Sequence, residues 1–96
     1  MPRGGSVRLT ADAALILSGQ PVRVYNMTIR SGNTASVVIL RNGTTATDTA
    51  QVEEVGVALE GKPFDYGDGG AYFPAGCFVD VDANISYVTL QAELVR

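Results

Sequence analysis

Calcium binding, acid–base work and thiol chemistry are the three activities that the reactive side chains of this 96-residue chain invite. Asp80-Val81-Asp82-Ala83-Asn84 begins like the calcium loop of an EF-hand. That loop needs Gly at its sixth position and Glu at its twelfth, where this chain has Ile85 and Gln91. The match fails, and the alternation of the segment places Asp80 and Asp82 on the solvent face of a strand. Asp65 and Asp68 sit three residues apart in a glycine-rich stretch, where two carboxylates could share a cation or an acid/base task. Gly67, Gly69 and Gly70 equally suit a tight connection, and the stretch lacks the glycine spacing and following helix of a phosphate-binding loop. Cys77 is the only cysteine, and the chain has no histidine. A catalytic thiolate lacks its usual activating base, zinc lacks ligands, and no intramolecular disulfide is available. Cys77, between Gly76 and Phe78-Val79, is expected to pack as a small buried hydrophobe. The chain is therefore read as non-enzymatic, without metal or cofactor.

Recognition chemistry is the other possibility. Five of the seven aromatic residues, Phe64, Tyr66, Tyr72, Phe73 and Phe78, fall within fifteen positions. Beside a glycine-rich loop such rings form a core, a protein interface or a carbohydrate platform. Phe64, Tyr66, Tyr72 and Phe73 are the candidate surface residues, together with Arg3 near the start. Six arginines against one lysine suit an interface, because a guanidinium is pre-organised for pairing. A GC-rich genome produces the same bias. Asn26-Met27-Thr28, Asn42-Gly43-Thr44 and Asn84-Ile85-Ser86 match the glycosylation pattern, which in a Thr-rich chain without a secretion signal is expected by chance.

The elements that must position these residues read as short strands. Ser6 to Thr10 alternates apolar and polar. Ala13 to Leu17 is continuously apolar, a doubly buried strand rather than one helical turn at that length. From Val22 to Ile29 the inward set switches from Val22/Val24 to Tyr25/Met27/Ile29, which predicts a bulge near Val24-Tyr25 or burial of both faces. Ala35 to Arg41 is the strongest strand, and Asn42-Gly43 marks a hairpin after it. Thr45 to Glu54 reads as a strand of Thr and Ala or as a short helical turn capped by Asp48 or Thr49. Val55, Val57 and Leu59 alternate, so a strand is expected to resume before Gly61. Lys62 to Gly70 reads as a loop. Cys77 to Val81 is a strand with Cys77, Val79 and Val81 on one face. Ile85 to Leu94 is the last, with Ser86, Val88, Leu90, Ala92 and Leu94 inward and Tyr87, Thr89, Gln91 and Glu93 outward.

Length and composition agree. Val, Ile and Thr make up a quarter of the residues, all three favour strands, and 11 glycines suit many turns. Hydrophobic residues at 46% exclude an intrinsically disordered chain. A net charge of -3 argues against nucleic-acid binding, and no apolar run is long enough to cross a bilayer. Met1-Pro2-Arg3-Gly4-Gly5 reads as a cytosolic start with a loose end. The expectation is a flexible segment at 1–5 and a single domain over 6–96. About eight short strands in that length cannot lie in one flat sheet. The fold class is all-β, a compact antiparallel β-sandwich of jelly-roll or Greek-key type, with a small closed barrel as the alternative.

At Phe73-Pro74-Ala75-Gly76-Cys77-Phe78-Val79-Asp80-Val81, followed by Ile85 to Leu90, the chain resembles small virion proteins of tailed bacteriophages. Arg41-Asn42-Gly43-Thr44 adds the hairpin mark of that group, and the likeness in pattern runs over residues 20 to 92. The resemblance implies a structural role in the virion, after synthesis in the host cytoplasm. The implied role is capsid decoration (cement), or a tail, neck or fibre module binding a host glycan or another virion protein. It implies a homo-oligomer, favouring a trimer because capsid junctions often have three-fold symmetry, and the major capsid protein as partner. Arg3 and the loose start would then order on an acidic patch of the shell. No family active site is carried over.

Overall fold

The apolar run Val37-Val38-Ile39-Leu40 and the Thr/Ala-rich stretch that follows it form the innermost hairpin of the molecule. The computed structural model describes residues 5–15 and 20–95. These hold nine strands: β1 (Gly5–Leu9), β2 (Ala13–Ala14), β3 (Val22–Ser31), β4 (Val37–Asn42), β5 (Thr49–Val55), β6 (Gly61–Asp65), β7 (Ala71–Phe73), β8 (Cys77–Val81) and β9 (Ile85–Leu94). Around the β4–β5 hairpin the pairs are nested: β3 with β6 and β7, β2 with β8, β1 with β9, all antiparallel. The chain is thus one long hairpin. Rolling it up adds β3–β9 and β4–β8 contacts, giving sheets ordered β1-β9-β3-β6 and β2-β8-β4-β5, with β7 continuing the β6 edge of β3. With β6 and β7 counted as one interrupted strand, this is the connectivity of a jelly roll. Among the described residues no helix is long and apolar enough to cross a membrane.

Alternation along the central strands builds the core between the sheets. Val22, Val24, Met27 and Ile29 of β3 face Val38 and Leu40 of β4 and Val79 of β8, with Val88 and Leu90 of β9 beside them. Phe73 is the largest fully buried side chain. The phase switch in β3 is a bulge. Val24 pairs with Ala92 and Asn26 with Gln91, so Tyr25 is the extra residue, and both Val24 and Tyr25 are buried. On the other side of β3, β6 ends and β7 begins at this point, and Tyr66 N–H donates to Tyr25 O at 3.0 Å.

Three expectations are corrected. Residues 61–65 are a strand despite Pro63, because β6 lies at a sheet edge where a missing N–H costs no ladder bond. The hairpin marked by Asn42-Gly43 is present, as β4 paired with β5. Its connection spans 43–48 and is organised by the Asp48 carboxylate, which accepts from Thr44 N–H (2.9 Å), Thr45 N–H (3.0 Å) and Thr45 Oγ1 (3.0 Å). A Cβ at Gly43 would lie 2.0 Å from that carboxylate, so glycine is needed there. No strand covers residues 56–60. Gly56 is the inward position, its N–H donating to Ser36 O at 2.8 Å, and a Cβ there would meet Ser31 Oγ at 2.5 Å. Finally, Ser86 is exposed, because a register shift between Arg30 and Ser31 turns Ile85 toward the core instead.

β2 is shorter than the apolar run suggests, although Leu15 N–H still donates to Cys77 O at 2.9 Å; positions 16 and 17 lie outside the described residues. Residues 1–4, with Arg3, also lie outside them, while Gly5 opens β1.

Candidate interaction surface

The aromatic candidates do not assemble into one platform. Phe73 is a core residue, fully buried opposite Val22, and is withdrawn as a surface residue: inward alternation on β7 decides its side. Phe64 pairs with Met27 and packs partly against the same core, with the Lys62 ammonium 5.4 Å from its ring centre. Tyr66 is half-buried and donates its hydroxyl to Glu54 Oε2 at 3.2 Å; burial, reinforced by the Glu54 charge, holds the phenol protonated well above its ordinary range. Tyr72 alone of the four is exposed, at 41%. The Arg23 guanidinium lies over its ring at 4.8 Å and donates to Gly69 O at 3.1 Å. Gln51 Nε2 donates to Tyr72 O at 2.6 Å, so this edge is tied to β5 of the facing sheet. Tyr66 and Tyr72 thus both connect the edge of the five-stranded sheet to β5.

The carboxylates prove to be structural. Asp80, expected on a solvated face, is half-buried and ion-paired with Arg41 Nη2 at 2.9 Å. Arg41 also donates through Nη1 to Asp48 O at 3.0 Å. Asp82, likewise expected in solvent, accepts from Val37 N–H at 2.9 Å and from Asn84 N–H at 3.0 Å. Asp12 accepts from Val81 N–H at 2.7 Å, and Asp65 from Gly67 N–H at 2.8 Å. Short side chains that accept from nearby N–H groups build turns and strand ends. No three potential metal ligands come together among the described residues. Cys77 is fully buried, and desolvation pushes its thiol up to about 12, which keeps it protonated and inert at neutral pH.

The residues that stand out are aliphatic. Val55, Val57 and Leu59 are 51%, 38% and 61% exposed, three of the four exposed large hydrophobic side chains among the described residues. Their alternation was visible in the sequence, but it faces outward because Gly56 takes the inward place. Leu59 holds φ at 60°, a left-handed conformation that costs a non-glycine residue about 1 kcal/mol or more. Two backbone bonds hold it there: Leu59 N–H donates to Gly32 O at 2.8 Å, and Glu60 N–H to Val57 O at 3.1 Å.

Comparisons with family models, curated proteins and solved structures find no significant match to the chain.

Proposed function

We propose that the chain is a non-enzymatic structural protein of a tailed-bacteriophage virion. In this reading it is a capsid decoration (cement) protein, binding across junctions between capsid subunits and stabilising the head. The observation that carries the reading is the apolar knuckle Val55/Val57/Leu59, displayed on a strained turn and bracketed by backbone hydrogen bonds. Exposed aliphatic side chains weaken solubility and are retained where a partner covers them. A two-sheet jelly roll with carboxylates engaged in turns and an ion pair supplies a stiff body for such a contact. The jelly roll itself assigns no function. The cement is a homotrimer, since three copies match a three-fold junction and a closed ring leaves no interface open.

The alternative, a tail module stacking a glycan on Phe64, Tyr66, Tyr72 and Phe73, has less support, because only Tyr72 offers an exposed ring. Electron microscopy of purified particles tests the reading. Density for the protein at capsid junctions, with shells that rupture at lower temperature when it is absent, is the expected result. Particles that carry it only on the tail, or not at all, would refute the cement role.

A further inference from the structure

The two sheets present unlike outer faces. Outward positions of the five-stranded sheet are polar: Asn26 and Thr28 of β3 beside Gln91 and Thr89 of β9, with Asn26 Nδ2 donating to Gln91 Oε1 at 2.8 Å. On the four-stranded sheet, Val38 and Leu40 are fully buried, so Val37 and Ile39 point the other way. Register places Val37 beside Val55, and Arg41 beside Phe78. An aliphatic strip therefore runs from Ile39 through Val37 and Val55 to the Val57–Leu59 knuckle. An antiparallel sheet with one solvated face normally alternates, and β4 does not.

Charge identifies what covers the strip. Among the described residues on the strands of the four-stranded sheet, Glu54 lies beside buried Val38 and accepts from the Tyr66 hydroxyl, while Glu53 and Asp80 share the outward side with Ile39 against one cation, Arg41. The strands of the other sheet carry Arg8, Arg23, Arg30 and Lys62 against Asp65 and Glu93. Arg41 is already engaged by Asp80 and Asp48 O, and Glu53 stands beside Ile39 with Glu60 next to Leu59. A second copy does not fit. Stacked face to face it would set acid against acid, and its cations lie on the opposite sheet. Stacked face to back it would meet threonine and amide groups in place of apolar ones, and the contact would repeat without closing.

The geometry points to a docking face, formed by Ile39, Val37, Val55, Val57 and Leu59 with Glu53 and Glu60 at its rim, for a different protein. That partner presents an apolar strip flanked by arginine or lysine. The inference rests on the cement reading and names the side of the molecule that meets the shell.

The probe is purified capsid shells prepared without this protein, with binding measured for the full chain. Ile39→Lys and Val55→Lys each place a charge in the strip and are expected to weaken binding by at least about tenfold. Glu53→Lys is expected to weaken it less, and added salt to slow association of the native protein. Thr89→Lys, on the opposite face, is expected to bind as the native chain does. Circular dichroism and urea unfolding report whether each variant is folded; if Ile39→Lys is not, Val55→Lys at its exposed position decides. Native binding with Val55→Lys unimpaired, or with Thr89→Lys alone impaired, overturns the docking face and leaves the cement reading standing. Failure of the native chain to bind shells overturns both.

Discussion

The outer faces of the two sheets obey different rules although the same chain weaves both. On β3 and β9, apart from the bulge at Tyr25 and the shift at Ser86, the alternation is regular: valine, methionine, isoleucine and leucine inside, asparagine, threonine, glutamine and arginine outside. On the same sheet two guanidinium groups lie over rings, Arg8 at 4.2 Å from the Tyr87 centre and Arg23 at 4.8 Å from that of Tyr72, which adds charge to the face while covering aromatic surface. β4 instead keeps aliphatic residues on both sides, and Val55 at the end of β5 adds to the outer one. A monomer needs only one apolar face per sheet to make its core. The lesson is that apolar content in a sandwich strand reports two demands, core and contact, and only the facing direction separates them.

The difference is open to measurement, and the largest effect lies inside. Leu40→Ala, at a fully buried position, is expected to cost about 2–5 kcal/mol in urea unfolding, against about 1 kcal/mol or less for Ile39→Ala one residue away. Equal costs would show that Ile39 is core and erase the contrast. Gly56→Val comes next. Its Cβ would press on Ser31 Oγ and on Ile29 Cγ2 at 2.8 Å, and overpacking there is expected to cost about 1–3 kcal/mol. No change in the denaturation midpoint would mean that the Val55–Leu59 turn is not seated as described.

Leu59→Gly should raise stability by about 0.5–1 kcal/mol, because glycine accepts a φ of 60° without strain and little packing is lost at an exposed site. A loss would show that the leucine serves the monomer and not a partner. The smallest effect is acidic. Hydrogen bonds from Thr45 and Thr44, helped by Arg41, hold Asp48 below its ordinary 3.8. Its contribution is present above that value and is lost as pH falls through the lower folded value. A melting curve for Asp48→Asn should lie below that of the native chain at neutral pH, with the gap closing under strong acid. A constant gap would mean that the charge of Asp48 does not organise the 43–48 turn.

Local pattern was enough for the elements whose partners lie on both sides. β9 runs over Ile85–Leu94 as the alternation indicates, and the phase change at Tyr25 is a bulge. β6 was hidden because Pro63 and the glycines around it suit a loop equally well. Only the free edge of β3 makes a strand of them, through Met27 beside Phe64 and Thr28 beside Pro63. Phe73 and Tyr72 are adjacent aromatics of similar character, and nothing in their neighbourhood distinguishes the buried one from the exposed one. The β3 register does so, setting Phe73 beside buried Val22 and Tyr72 beside Arg23. Val37, Ile39, Val55, Val57 and Leu59 were visible as strand formers, but not as outward-facing residues.

By itself the sequence determined an all-β sandwich, a buried thiol and the absence of histidine, for composition and period-2 alternation are local properties. Tertiary structure alone decided which sheet is acidic, which apolar positions face outward, and that the carboxylates at 12, 48, 80 and 82 brace turns and neighbouring strands. Those outcomes depend on partners far apart in the chain, such as Asp12 with Val81 and Arg41 with Asp80, and on the one inward place at Gly56 that leaves no room for a side chain. No window of neighbouring residues contains that information, because it is set by the order in which a long hairpin rolls upon itself.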